Sequence, residues 1–128
     1  MFPRKLPKAR KRTNWWRSPA HRKHVGDHEC ANCGSRVNVS AAHYRKGANA
    51  GAGNKPHDWL CVPLCDGPFA NSEGGAGCHI VQHSQGEDTF WSAYAKAKGH
   101  TVHDLIEHMI RTSPKKGEIE AKRREVGE

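Results

Sequence analysis

The five residues Cys30-Ala31-Asn32-Cys33-Gly34 form a knuckle in which two thiolates turn toward one ion. Two residues between the cysteines, followed by a glycine, give the tight turn that tetrahedral coordination needs. Further along, Cys65 ends a short apolar run and Cys78 opens a helical segment. Two more thiolates therefore fall at element boundaries, where a four-coordinate structural zinc ties strand to helix. The expected ligands are Cys30, Cys33, Cys65 and Cys78. Cys61, the fifth cysteine, lies between Leu60 and Val62 and reads as a small buried hydrophobe. Its exchange with Cys65 or Cys78 stays open at this point, because the twelve residues after Cys65 can fold in several ways.

The rest of the chain explains why a metal staple is needed. With 128 residues, 35% of them hydrophobic and 7% aromatic, one compact domain with a small core is expected. An odd number of cysteines argues against a disulfide framework. No apolar run reaches the roughly 20 residues of a bilayer span, and no secretory h-region follows the basic N-terminus, so a cytoplasmic protein without a membrane partner is expected. Lys and Arg number 21 against 13 Asp and Glu, a formal net charge of +8, which favours a polyanionic partner such as DNA. Nine of those cations fall within residues 1–23, and no acidic residue precedes Asp27. A flexible basic arm over 1–18 follows, with Arg10, Lys11, Arg12, Arg17 and, further on, Lys46 as candidate nucleic-acid contacts. Trp15 and Trp16 interrupt the arm and either stack on bases or, as the favoured reading, anchor it to the domain.

Local patterns place the elements. Ser18-Pro19 is an N-cap followed by a first helical position, predicting a short helix over 19–25. Residues 36–42 alternate, with Val37 and Val39 on one face, and 59–64 form a short apolar run, so both read as strands joined by the glycine-containing loop 47–55. A second glycine-rich stretch, 66–77, leads into a short helix over 78–84 that Gly86 ends. Phe90, Trp91 and Tyr94 have helical spacing. Thr101 and Asp104 form a near capping box before the stripe Val102, Leu105, Ile106, Met109 and Ile110, which Ser113-Pro114 stops. Residues 113–128 carry both charge signs with almost no apolar residue and read as a solvated charged tail.

His79 and His83 are four apart, so on a helix their rings share a face and can hold a second metal ion. They directly follow a zinc cysteine. His43 sits just after a strand that the knuckle begins, so three imidazoles are expected to converge on one small surface.

The ordered string Cys30-x-x-Cys33, Ala41-Ala42-His43-Tyr44-Arg45, Lys55-Pro56-His57-Asp58, Val62-Pro63-Leu64-Cys65, Cys78-His79-x-x-x-His83-x-x-Gly86-Glu87 and Phe90-Trp91 resembles the HNH (His-Me finger) endonucleases of phage and prophage type, including the recombination-enhancement nucleases. The resemblance covers about 30–91. It implies an α+β fold with a small ββα-metal core, stapled by the four-cysteine zinc, flanked by helices and preceded by the basic arm. Together with the basic run and the composition of the tail, it divides the chain into the arm 1–18, an HNH nuclease domain over 19–112 and the tail 113–128. It also implies hydrolysis of DNA, with His43 as general base, His79 and His83 holding one catalytic divalent cation (Mg2+, Mn2+, Ni2+ or Zn2+), and Arg45 near the scissile phosphate. Asp58 stands near the middle position of the family motif, where it orients the catalytic loop or reaches the metal; as an isolated residue it reads equally as a turn cap. Two departures are visible: Ala42 stands where many relatives carry a metal ligand, and the insert between Cys65 and Cys78 is long. The alternative reading is a non-catalytic zinc-stabilised nucleic-acid-binding module. A third, an adaptor whose arm contacts acidic proteins, has the least support.

Overall fold

The computed structural model describes residues 16–45, 57–66 and 77–125. The elements run α1 (Pro19–Gly26), β1 (Val39–His43), a single 3-10 turn (Asp58–Leu60), β2 (Cys61–Cys65), α2 (Cys78–Gln85), α3 (Glu87–Lys98), α4 (Val102–Arg111) and α5 (Lys116–Glu125). The result is a small α+β structure of five helices and one two-stranded antiparallel sheet among the described residues. No helix among them is long and apolar enough to cross a membrane.

Local chemistry sets the helix ends. The Ser18 hydroxyl accepts the His21 N–H at 3.1 Å and Pro19 opens α1, as the cap rule predicts. Thr101 and Asp104 complete a reciprocal capping box at the start of α4. Gly86 separates α2 from α3 at φ 92°, a backbone conformation that suits glycine. The α4 stripe from Val102 to Ile110 is buried throughout, with Phe90, Trp91 and Tyr94 of α3 beside it in one core.

The register pairs Val39 with Cys65 and His43 with Cys61, so the two strands are offset by no residue and end together. Every residue of β2 is buried, because α1, α2 and α4 all pack against it. Its buried positions include Cys61, in agreement with the reading of that thiol as core.

Three expectations are corrected. The first strand begins at Val39 rather than at Arg36: Asn38 takes a left-handed φ of 52°, which breaks the extended run, and Val37 is left exposed. The second strand begins at Cys61, since 58–60 close a 3-10 turn. The solvated tail is helical over Lys116–Glu125, and its Ile119 is fully buried. Polar pairs on the same helix add to that apolar contact. Trp16 donates its indole N–H to Glu118 at 3.0 Å, and Arg123 makes two contacts to Glu107 of α4 at 2.8 and 3.2 Å.

Trp16 is itself buried, 5.8 Å centroid to centroid from Trp59, so the anchoring reading holds for this tryptophan. Packing thus extends beyond both sequence-predicted edges of the domain at 19 and 112. Trp15 and the candidate contacts Arg10, Lys11, Arg12 and Lys46 lie outside the described residues.

Candidate functional site

The sulfur atoms of Cys30, Cys33, Cys65 and Cys78 all lie within 4.8 Å of one another, and Cys33 to Cys65 is 3.6 Å. A tetrahedral zinc with bonds of about 2.3 Å sets its sulfurs roughly 3.8 Å apart, so the donor set fits one zinc ion. The local fold explains the convergence. Gly34, at φ 80°, closes the knuckle with its N–H on the Cys30 carbonyl at 2.9 Å. The Ala31 N–H then docks the knuckle on the Pro63 carbonyl of β2 at 2.9 Å. Gly77 is required by close approach: a Cβ there would collide with the Cys65 carbonyl oxygen, and only its absence lets α2 start beside the end of β2.

The electrostatics of the cluster are those of crowded thiols. A hydrogen bond from Cys78, helped by neighbouring backbone N–H groups against the effect of burial, holds the Cys30 thiol down to about 4. The same shared hydrogen bond, together with burial, pushes Cys78 up, and burial pushes Cys65 up. A bound dication would take the place of these shared protons, with Cys30, Cys33, Cys65 and Cys78 holding it as thiolates. Asn32 Nδ2 donates to Cys78 Sγ at 3.4 Å and the Cys78 N–H to Cys65 Sγ at 3.3 Å, the kind of outer contacts that orient ligating sulfurs.

A second site forms where β1 ends. His43 Nε2 lies 2.9 Å from Asp58 Oδ1, and Asp58 is almost fully buried. Asp58 Oδ2 accepts the Ser18 N–H at 2.7 Å and Arg22 Nε at 3.0 Å, while Arg17 Nη1 stands 3.5 Å from Oδ1. Burial would raise the carboxyl pKa. The bonds from His43 and Ser18 and the charges of His43 and Arg22 outweigh it and hold the group below the usual carboxylate range. An ionised carboxylate only accepts, so Nε2 carries the proton and, in the neutral ring, Nδ1 carries the lone pair. A base oriented by a third group is the arrangement that general-base chemistry needs. Asp58 holds the His43 ring on one oxygen and the Ser18 N–H at the start of α1 on the other; no side chain caps the 3-10 turn that it opens, so the turn-cap reading is not met.

Two buried histidines support this corner. His57 Nδ1 accepts the Trp16 N–H at 2.8 Å and its ring stacks on Trp59 at 4.1 Å. His21 pairs with the Ser113 hydroxyl at 2.8 Å. Burial, with Arg17 and Lys122, brings His57 down to about 4; burial, with His24, does the same for His21. The unfolded chain takes up these protons near pH 6.5, whereas the folded chain refuses them until about pH 4. Stability is therefore full above the upper value and falls as pH drops through that window. Denaturant titrations at pH 7 and pH 5 are expected to differ by roughly 2 kcal/mol per histidine, and His57→Gln to remove part of that difference; an equal pH dependence in the variant contradicts the assignment.

His79 and His83 lie one turn apart on α2 with ring centroids at 4.9 Å. His79 Nδ1 is 2.9 Å from Asp66 Oδ1 and 3.4 Å from the Ser40 hydroxyl. The three imidazoles do not form one close donor set. Among the described residues, the donor groups within 4.8 Å are the four thiols and the set His43, Asp58 and Cys61. Ser40 of β1 meets His79, whereas His43, at the end of the strand, is held on Asp58. Ala42 shares the Ser40 face and offers no donor. The set His43, Asp58 and Cys61 is a poor cation site, since Arg17 and Arg22 already sit on the carboxylate and burial pushes the Cys61 thiol up.

Arg45 is exposed past the end of β1, and its backbone N–H donates to Glu87 at 2.7 Å. Sequence reasoning passed over Ser18 as a partner of Asp58, Arg22, Asp66 and His57. The position of Arg22, one helical turn past the Ser18 cap, was a usable signal; its partner, 36 residues away, was not. Comparison with protein-family models, curated proteins and solved structures found no match to this chain.

Proposed function

We propose that this chain is a metal-dependent HNH-type endonuclease that hydrolyses DNA phosphodiester bonds, encoded by a phage or prophage and acting in the host cytoplasm. The observation that carries the reading is the His43–Asp58 pair at the end of β1, its carboxylate buried and its imidazole 20% exposed. Its setting supports the same reading: two antiparallel strands followed by a helix bearing His79 and His83, beside a thiol cluster suited to a structural zinc. In this mechanism His43 accepts at Nδ1 the proton of a water attacking phosphorus, and Asp58 keeps the ring in the tautomer that can do so. His79 and His83 would hold the catalytic cation, with the Asp66 carboxylate beside them. When bound, Mg2+, Mn2+, Ni2+ or Zn2+ supplies charge stabilisation at the phosphate and the leaving oxygen. The excess of Lys and Arg and the basic N-terminal residues supply attraction to the DNA backbone.

A second reading, a non-catalytic zinc-stabilised DNA-binding module, is favoured by one observation: Ala42 offers no donor on the strand face that meets α2. Conversion of supercoiled plasmid to nicked or linear DNA separates the two. Cleavage that requires added Mg2+, Mn2+ or Ni2+ is the expected result. Retained DNA binding with no cleavage under any of these cations assigns the second reading.

A further inference from the structure

One buried carboxylate carries both the imidazole of His43 and the guanidinium of Arg22. Asp58 Oδ1 faces His43 Nε2 at 2.9 Å, and Oδ2 takes Arg22 Nε at 3.0 Å. Arg22 uses only Nε in this pair, and its side chain is 44% exposed, so its fork keeps donors that an anion can take. The position is fixed by more than one contact: α1 is capped by Ser18, whose N–H donates to the same Asp58 oxygen as Arg22, and Val25 of α1 is fully buried.

Arg22 also lines a groove between α1 and β1. Its walls include Lys23 and Asp27 of the helix side and Val39 and Ala41 of the strand. Val39, Ala41 and His43 are alternate residues of β1 and share one face. The strand side of the groove is lined as far as Ala41, two residues before His43, so a chain of phosphates lying in it and continuing along β1 would pass Arg22 on the way to His43. Lys23 is a weaker candidate, since it pairs with the exposed Asp27 at 3.1 Å and is itself 77% exposed. Arg45, the residue that the family resemblance puts near the scissile phosphate, is tied by its backbone to Glu87 of α3.

We propose that Arg22 is a DNA-phosphate-binding residue and that the α1–β1 groove is the track along which the DNA backbone reaches His43. The significance of the groove for cleavage rests on the nuclease reading above; the phosphate contact itself is read independently. The zinc-loaded full chain is titrated onto a labelled DNA duplex over a range of salt, without added divalent cation. Arg22→Gln is expected to weaken binding roughly fivefold and to reduce the slope of log affinity against log salt by about one, as the loss of a phosphate contact does. Arg22→Lys keeps the charge and is expected to keep the slope. An Arg22→Gln variant with an unchanged slope and an intact melting curve overturns the proposal. So does an equal loss of slope in Lys23→Gln, which would indicate a diffuse basic field, and so does a wild type that does not bind DNA. Should Arg22→Gln not fold, the wild type gives the answer: the duplex is expected to protect Arg22 from phenylglyoxal, and equal modification with and without DNA overturns the site. A chain that binds in this way yet cleaves nothing sinks the nuclease reading alone. Cleavage whose salt slope ignores Arg22 sinks this proposal alone.

Discussion

Stripping the metal from the four-thiol centre is expected to abolish the cooperative melt of the domain, and Cys65→Ala is expected to do so without a chelator. Cys65 is fully buried at the end of β2, and its sulfur meets both Cys33 of the knuckle and the N-terminus of α2. The cluster therefore joins three segments of the chain, and those segments otherwise share a small core. Structural zinc in small domains binds with an apparent free energy of about 10–16 kcal/mol, which matches or exceeds the whole net stability of a typical domain, about 5–15 kcal/mol. Thermal melts followed by circular dichroism, with zinc content measured on the same samples, check this. Cys61→Ala is the control: that thiol is buried but outside the cluster, so the variant is expected to lose only about 1–2 kcal/mol and to keep its zinc. A zinc-free chain that melts like the wild type contradicts the account.

The second large effect is expected at Asp58. Its carboxylate accepts from a backbone N–H, an imidazole and two arginines, and almost none of it is open to water. Asp58→Ala leaves those donors without their anion, at about 3–5 kcal/mol for breaking a buried charge pair. It also frees the His43 ring from its tautomer, so nicking should fall by about 10²–10⁴-fold. Asp58→Asn keeps the shape and should recover much of the stability but little of the activity. The sign with pH follows from the depressed carboxyl pKa. The contribution of Asp58 is complete above the ordinary carboxylate value of about 3.9 and disappears as pH falls through the lower folded value. The stability gap between wild type and Asp58→Ala, measured in denaturant, should therefore be widest near neutrality and close in strong acid. A gap that widens on acidification contradicts the assignment.

Much of this architecture was legible because its signals are local. The Ser18-Pro19 start of α1, the Thr101 capping box, the apolar stripe of α4 and the glycine after α2 act within one or two turns. The four cysteines were legible because metal chemistry restricts where thiolates can sit. The remainder depended on tertiary contacts. The early start expected for the first strand failed at Asn38, whose left-handed backbone is not encoded in the alternation of Val37 and Val39. Helix α5 has one buried apolar residue, Ile119, and is held by Trp16 through Glu118 across 102 positions. Asp58 was identified as a candidate, but its partners Ser18 and Arg22 come from 40 and 36 positions away. His79 was assigned to a metal without Asp66, which flanks the glycine-rich insert and carries no periodic signal. His43 is held by Asp58 and His79 by Asp66, tertiary partners that the spacing of the three imidazoles does not reveal.

Plasmid nicking by the wild type and by His43→Ala, side by side at equal zinc content and with added Mg2+, Mn2+ or Ni2+, tests the central claim most directly. Cation-dependent nicking by the wild type is expected, with a loss of about 10²–10⁴-fold in the variant, which melts somewhat lower for want of the His43–Asp58 bond but stays folded at the assay temperature and keeps its zinc. Equal nicking by the two proteins, or none by the zinc-loaded wild type with any of the three cations, contradicts the claim.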